Sequence, residues 1–377
     1  MSQTPSPIIT QWLAGKTSAP AQRLIDRLAR SDDIVRLAIM PDVHAAAEVC
    51  VGTVMATTHL IYPTAVGGDI GCGMAAVAFD ACADFLSSEA AASQLYQALY
   101  RHVPTNRHAQ PRTLPQPLIA APLSDPLLEK LKQRDAAVQL GTLGRGNHFL
   151  EFQRDDEQRL WLMVHSSSRA LGQAVRDFHL RNARRTAVGL SAIDTETDAG
   201  RAYLSDAAWA AAYATANRRA MVNAVSELMH ALFAIEMLWP TCLDCDHNHV
   251  RRETHFGQSL WVHRKGATPA HSGEPGIIPG SMGTRSFHAE GRGHPESLCS
   301  SSHGAGRAMS REEARWQIRP RDLHRQLHEL WYDQRATQHL VEEAPAAYKD
   351  IAVVMRAQRD LTRIVRTLRP LLSYKGV

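Results

Sequence analysis

The feature that most limits the possible folds is an apolar stretch at residues 34–80 that glycine and proline repeatedly interrupt. It is rich in Val, Ile and Ala, and it contains the segment AVGGDIGCGM at 65–74. Short apolar runs separated by such turn residues predict buried β-strands joined by tight turns. One carboxylate, Asp69, and one thiol, Cys72, lie in the glycine-rich turn. We therefore expect the turns of this protein to carry its chemistry.

Other segments predict a mixed α and β architecture. Residues 160–185 have the pattern of a strand, a polar turn and a helix. Residues 205–238 are rich in alanine and lack Gly and Pro, which predicts a helix beginning at Ser205 or Asp206. Residues 346–371 predict one more helix, ended by Pro370. The proline-rich segment 102–126 is expected to be a surface loop within a single domain spanning residues 1–377.

Charge and cysteine content exclude some classes of protein. The formal charge is +4, from 42 Lys and Arg against 38 Asp and Glu, which permits a polyanionic partner without requiring one. Six cysteines in 377 residues do not form a disulfide scaffold. The first 20 residues lack a basic segment followed by an apolar core, and no apolar run is long enough to span a membrane. We expect a soluble, cytoplasmic protein.

Nineteen histidines are more informative, because imidazole is the commonest metal ligand and can act as a nucleophile. Several lie in turns of Gly, Ser or Asn, within GTLGRGNHFLEF (141–152), VHSSSRALG (164–172) and DCDHNHV (244–250). Together with Asp69 and Cys72, these imidazoles suit Mn, Fe or Zn better than Mg or Ca. Each motif alone is also explained by a buried thiol or a structural histidine. The CLDC pair at 242–245 lacks the second C-x-x-C that a zinc ribbon needs.

Two further turns combine small residues with hydroxyl or basic groups, PGSMGTRSF (279–287) and SSSHGAGRAMSR (300–311). Exposed amides in such turns suit phosphate oxygens, although no Walker A motif is present. In the second turn Arg307 and Arg311 follow His303, and an imidazole beside phosphate-binding groups can attack phosphorus. The alternative is a surface loop with a basic face.

Taken together, these segments resemble the RtcB family of RNA ligases, which join a 3′-phosphate or 2′,3′-cyclic phosphate end to a 5′-hydroxyl. The resemblance implies an α+β fold with packed β-sheets around a metal-containing cleft flanked by α-helices. The matching segments occur in the family's order from about residue 34 to the C-terminus: MPDVH, AVGGDIGCGM, GTLGRGNHF, VHSSSRALG, DCDHNHV, VHRKGA, IIPGSMGT, SSSHGAGRAMSR, EEAPAAYKDI and LRPLLSYKG.

The resemblance also implies roles for individual residues. His303 matches the nucleophile that becomes covalently bound to GMP. The ligands of a dinuclear manganese site, with Cys72 as the bridge, match Asp69, Cys72, His148, His165 and His247. The residues that contact the guanylate match Asn147, Glu151, Asn248, Ser281, Tyr348 and Lys375. Residues in motifs that serve the site less directly are Asp42, Lys265, Arg307 and Arg311. We expect the glycines of 65–74 to let Asp69 and Cys72 reach metal while nucleotide and RNA ends pack against the turn.

The implied chemistry uses GTP and two manganese ions. His303 attacks the α-phosphorus of GTP, GMP passes to the RNA 3′-phosphate, and the 5′-hydroxyl then displaces GMP. The expected enzyme is a monomer that acts in RNA repair or tRNA splicing. Two alternatives remain open: a metal-dependent phosphoesterase that needs neither GTP nor His303, and a non-catalytic RNA-binding module, against which the retained metal ligands argue.

Two segments depart from the family's pattern. AAAEVCVG follows PDVH where the family usually has a glycine-bearing stretch, and HSSSR replaces a central glycine by serine. Both changes are expected to reduce backbone freedom near the site. Our hypothesis is a divergent branch with its own RNA substrate, such as a cleaved RNA that needs repair rather than a tRNA that is spliced.

Overall fold

Two β-sheets dominate the computed structural model, which describes residues 6–376 and confirms the predicted α+β class. The larger sheet is antiparallel throughout. Its seven strands run in the order β10 (Met237–Asp246), β5 (Gly73–Cys82), β7 (Arg159–Ser166), β6 (Phe149–Asp155), β17 (Thr362–Lys375), β15 (Ser286–Gly291) and β14 (Pro275–Ile278).

The second sheet contains two of the four strands that form in the first apolar stretch, Ile34–His44 and Val51–Thr57. Its order is β1 (Ile8–Gln11), β2 (Ile34–His44), β3 (Val51–Thr57), β12 (Gln258–Lys265) and β11 (Asn248–His255). Smaller pairings join β13 (Ala267–Pro269) to β16 (Ser300–Ser302), and β4 (Leu60–Ile61) and β8 (Arg184–Arg185) to β9 (Ser191–Asp194). The strands of 34–80 are largely buried, which confirms that prediction.

The α-helices within residues 6–376 are α1 (Ala19–Leu28), α2 (Glu89–His102), α3 (Gln116–Ala120), α4 (Pro126–Gln139), α5 (Arg169–Arg181), α6 (Asp198–Phe233), α7 (Arg311–Gln317), α8 (Pro320–Gln326), α9 (Thr337–Leu340) and α10 (Ile351–Ala357). In this described part of the chain no helix has both the length and the apolar character needed to cross a bilayer. The strand, turn and helix predicted over 160–185 are present as β7 and α5.

Helix α6 is longer than predicted, and its predicted start is wrong. The helix begins at Asp198, because the Thr197 hydroxyl accepts a hydrogen bond from the Gly200 amide and caps the first turn. Asp206, proposed as a cap, is instead buried inside the helix, where its carboxylate accepts hydrogen bonds from Ser124 and pairs with His179. The helix ends at Phe233.

The prediction of a helix over 346–371 is also wrong for the second half of that segment. Only α10, Ile351–Ala357, is helical, and residues 362–375 form β17. This strand pairs with β6 on one side and β15 on the other, so hydrogen bonds of the sheet replace those of a helix. Pro370 is tolerated because the register shifts next to it, between Pro370 and Leu372.

The main hydrophobic core lies between the larger sheet and helices α2 and α6. Phe79 and Phe152 of the sheet pack in one cluster with Met221 and Val225 of α6. Full burial of each such side chain is worth about 1.5–3 kcal/mol. The segment 102–126 consists mostly of coil with α3 in it, and Leu118 is buried against α6.

Candidate active site

Four side chains meet at one edge of the seven-stranded sheet. Cys72 directly precedes β5, His148 directly precedes β6, His165 lies near the end of β7, and His247 joins β10 to β11. Because neighbouring strands are antiparallel, β5 and β6 begin where β7 and β10 end. The sequence therefore places its turn residues on a shared edge.

These side chains point towards one another. The sulfur of Cys72 lies 3.2 Å from Nε2 of His165 and 3.6 Å from Nε2 of His148. Nε2 of His165 lies 3.3 Å from Nε2 of His247. Donor atoms of Cys72, His165 and His247 all lie within 4.8 Å of one another, and all four residues are buried.

The charge states of this group suit a divalent metal ion. Burial lowers the pKa of His148 to about 3 and the pKa values of His165 and His247 well below 6.5, so the imidazoles are neutral. The Asn147 carbonyl accepts a hydrogen bond from Nδ1 of His165 (3.1 Å), which leaves a lone pair on Nε2. A bound cation would offset the cost of these facing lone pairs and the buried sulfur. The donor set of imidazole nitrogen and thiol sulfur fits a transition metal.

The thiol of Cys72 has the opposite shift. Burial, reinforced by the negative charge of Asp69, raises its pKa well above 9. A thiol with this environment is protonated in the metal-free protein, and metal binding would release that proton.

Asp69 lies outside the close group. Its side chain is exposed, and Oδ1 accepts a hydrogen bond from the Ser167 hydroxyl (3.1 Å). The side-chain amide of Asn248 also bonds to backbone groups. It donates to the Asp69 carbonyl (3.2 Å) and accepts from the Gly266 backbone amide (2.8 Å). The structure thus holds Asp69 next to β7 through a serine hydroxyl.

Two glycines of the 65–74 turn allow close packing of protein backbone. Gly71 has a φ of +69°, and a Cβ there would lie 2.7 Å from the Cα of Ala211 in α6. A Cβ on Gly73 would collide with the backbone of Cys245 in β10. Protein backbone therefore fills the space beside Gly71 and Gly73, and the packing of nucleotide and RNA ends against the 65–74 turn stays a prediction.

His303 directly follows β16 and is held by a buried carboxylate. Its Nδ1 lies 2.6 Å from Oδ2 of Asp42, and its backbone amide donates to the same oxygen (3.2 Å). Asp42 has no solvent exposure. In the neutral imidazole, a proton on Nδ1 donated to Asp42 leaves a free lone pair on Nε2. The His303 ring centroid lies 4.7 Å from that of His247, so this imidazole borders the candidate metal group.

A cavity of about 1340 Å³ connects most of the predicted residues. The predicted residues that line it are Asn147, Glu151, His165, His247, Ser281, His303, Arg307, Arg311, Tyr348 and Lys375. Those outside the lining are Asp42, Asp69, Cys72, His148, Asn248 and Lys265. Lys265 donates to the Thr64 carbonyl (3.0 Å), and burial lowers its pKa to about 8.

One buried carboxylate that sequence reasoning missed organises the predicted guanylate side of the cavity. Glu343 accepts hydrogen bonds from Lys375 (2.8 Å), Tyr348 (2.6 Å) and Arg307 (3.3 Å). Burial opposes its charge, but these three partners outweigh it and hold the pKa of Glu343 below its usual value. Its position in the EEAPAAYKDI motif, five residues before Tyr348, was the available indication.

Glu151, in contrast, lacks a cationic hydrogen-bond partner within residues 6–376. Gln153 donates to its Oε1 (2.6 Å), and burial raises the pKa of Glu151 to about 7. The cavity thus contains a carboxyl group able to donate or accept a hydrogen bond near neutral pH.

Comparison with known proteins agrees with this geometry. A model of the family described as tRNA-splicing ligase RtcB matches residues 25–118 and 119–376. The chain belongs to the RtcB family. It is 34% identical to the RNA-splicing ligase RtcB of Escherichia coli K12, over 98% of this chain and 97% of that protein. It is 29% identical to RNA-splicing ligase RtcB2 of E. coli ATCC 25922, over 92% and 90% of the two chains, and 34% identical to RNA-splicing ligase RtcB of Mycobacterium tuberculosis over 68% of each.

Proposed function

We propose that this chain is a GTP- and manganese-dependent RNA ligase that joins 3′-phosphate or 2′,3′-cyclic phosphate ends to 5′-hydroxyl ends. The observation that carries the proposal is the imidazole of His303, fixed by Asp42 at Nδ1 and bordering both the cavity and the Cys/His group. Membership of the RtcB family and relatives named RNA-splicing ligases support it.

His303 is the proposed nucleophile. Its Nε2 lone pair attacks the α-phosphorus of GTP, an N–P bond forms, and the P–O bond to pyrophosphate breaks, with the electron pair leaving on pyrophosphate. The Asp42 carboxylate keeps the proton on Nδ1 and stabilises the positive charge that develops on the ring.

Two further displacements complete the joining. An oxygen of the RNA 3′-phosphate attacks the phosphorus of the bound GMP, and the N–P electron pair returns to Nε2 of His303. The 5′-hydroxyl then attacks the activated 3′-phosphate, and GMP leaves as the phosphodiester forms. A cyclic end is first hydrolysed to the 3′-phosphate.

The rest of the cavity binds the nucleotide. The guanidiniums of Arg307 and Arg311 line it and suit phosphate oxygens. Glu151 suits the hydrogen-bond donors of guanine. The remaining residues assigned to the guanylate are Asn147, Ser281, Tyr348 and Lys375, which line the cavity, and Asn248, which lies outside its lining.

The metal ligands in this proposal are Asp69, Cys72, His148, His165 and His247, which would hold two manganese ions. Bound manganese neutralises phosphate charge and aligns the reacting groups. The proposal also includes action as a monomer in the cytoplasm, where the six free cysteines stay reduced.

Covalent labelling tests the proposal. The full chain is incubated with MnCl₂ and α-³²P-GTP, denatured, and examined for label that acid removes, as expected for an N–P bond. His303→Ala should abolish the label. His339→Ala, which truncates an exposed histidine away from the cavity, is the matched control and should keep it.

RNA joining is the second readout. A 3′-phosphate and a 5′-hydroxyl oligonucleotide should be joined only when GTP is present. Hydrolysis of a cyclic end with no joining, whether or not GTP is present and unaffected by His303→Ala, would favour the phosphoesterase alternative. Label that remains on His303→Ala would show that another residue is the nucleophile.

A further inference from the structure

The mouth of the cavity carries an unusually exposed aromatic side chain. Trp316 lies on α7, 83% exposed, and lines the same cavity as His303. Tryptophan is usually well covered in folded proteins. No aromatic ring or cation is stacked on Trp316 within residues 6–376, so its ring faces are available to a ligand.

The indole is held on a rigid element. Ser310 and Glu313 form a reciprocal capping box at the start of α7. On the other side of the helix, Ala314 is buried in a cluster with Leu323 and Leu340. The helix that carries the ring is therefore fixed beside the cavity, so little backbone entropy is lost when a ligand stacks on the indole.

Charges around the mouth indicate which part of a nucleic acid meets this ring. Glu312 and Glu313 line the cavity next to Trp316, and their carboxylates repel phosphates. Lys16, from the loop before α1, also lines the cavity, is exposed, and has no ion-pair partner in the part of the chain that the structure describes. A nucleobase stacked on the indole, with the sugar-phosphate backbone of its strand directed towards Lys16, keeps the phosphates away from the two carboxylates and close to the ammonium.

We propose that Trp316 is a stacking platform for a nucleobase of the RNA strand that enters the cavity. This inference rests on the proposed ligase function. The guanylate belongs deeper, since Glu151 and Lys375 are buried while Trp316 is at the surface. The ring therefore receives a base of the RNA near its reacting end, and stacking accepts any base because each has a π-face.

Three variants of the full chain test the proposal. Trp316→Ala removes the ring, and Trp316→Phe keeps an aromatic face. Trp239→Ala is the matched control, since Trp239 is 36% exposed, lies on β10 away from the cavity, and is covered by the Arg219 guanidinium 4.0 Å from its ring centroid. Each is assayed for RNA-independent labelling with α-³²P-GTP, for binding of a fluorescent single-stranded RNA with a 3′-phosphate, and for the KM of RNA in joining.

Trp316→Ala should raise both the Kd and the KM for RNA about tenfold, as expected for loss of one stacked base. Its labelling with GTP should equal that of the unsubstituted chain, and Trp316→Phe should restore most of the RNA affinity. Equal RNA affinity of Trp316→Ala and Trp239→Ala would overturn the proposal. A protein partner would then be the alternative ligand of the ring. Slower labelling by GTP would overturn it as well, since the ring would then serve the nucleotide. Absence of labelling in the unsubstituted chain would refute the proposed function instead, and the RNA Kd would still report on Trp316.

Discussion

Replacing Glu343 by glutamine removes one buried negative charge that three side chains share. Lys375, Tyr348 and Arg307 all donate to the Glu343 carboxylate, and both Glu343 and Lys375 are less than 10% exposed. The neutral amide can still accept from Lys375, but it no longer offsets the charge of that ammonium. We expect Glu343→Gln to destabilise the protein and to disorder the guanylate side of the cavity.

The size of the expected loss in the free energy of unfolding follows from the burial of this ion pair. Removing one partner of a buried ion pair costs about 3–5 kcal/mol, and the remaining amide acceptor places Glu343→Gln near 3 kcal/mol. Glu342 supplies a matched control in the next position. Its carboxylate pairs with Arg315 and Arg311 at the partly exposed surface, where such pairs contribute about 0–1 kcal/mol.

Urea unfolding followed by far-ultraviolet circular dichroism measures both variants at pH 7. Because the pKa of Glu343 is lowered on folding, its contribution is fully present above the ordinary value near 4.5 and is lost as pH falls through the folded pKa. The difference between Glu343→Gln and the unsubstituted chain should therefore shrink below pH 4.5. If Glu343→Gln is no less stable than Glu342→Gln at pH 7, the carboxylate does not organise these cations.

Two further predictions concern the other carboxylates of the site. Asp42→Asn should slow covalent labelling by GTP by about 10²–10⁴-fold, because the neutral amide neither fixes the Nδ1 proton of His303 nor stabilises its charge; unchanged circular dichroism with unchanged labelling would contradict this. Burial raises the pKa of Glu151 to about 7, so its ionisation destabilises the fold as pH rises from about 4.5 to 7. Glu151→Gln should thus stabilise the metal- and nucleotide-free protein by about 3 kcal/mol at pH 8 and have no effect at pH 4, and an equal effect at both pH values in urea unfolding would be inconsistent with a buried, titrating carboxyl.

The candidate site was largely predictable because its residues are close to turn motifs in the sequence. Cys72, His148 and His247 each lie within one residue of a strand end, and antiparallel pairing alone brings such ends to one edge. Glu343 was not predictable in this way, since its three partners come from sequence positions up to 36 residues away and only tertiary packing joins them.

The errors in secondary structure have a similar cause. Residues 362–375 contain apolar residues at spacings compatible with a helix, but pairing with both β6 and β15 provides hydrogen bonds on two sides. Local periodicity cannot report on strands that are distant in sequence. The start of α6 was predicted too late for a local reason. The alanine-rich segment used for the prediction excluded Gly200, and the Thr197 cap precedes that glycine.

The two departures from the family's pattern also look different once the backbone is known. None of residues 45–51 or 165–168 has a positive φ, whereas Arg169, the last residue of HSSSR, has a φ of +59°, in the left-handed region that favours glycine. The first segment keeps a glycine where a side chain would not fit: Gly52 has a φ of +82°, and a Cβ there would lie 2.7 Å from the Cα of Val43.

The additional serine hydroxyl of HSSSR forms a hydrogen bond within the site. Ser167 donates to the carboxylate of Asp69, while Ser166 and Ser168 donate to backbone carbonyls, so the motif ties the 65–74 turn to the end of β7. The HSSSR departure thus helps to hold the turn that carries Asp69 and Cys72. A distinct RNA preference is better sought at the mouth of the cavity, where Trp316 is 83% exposed.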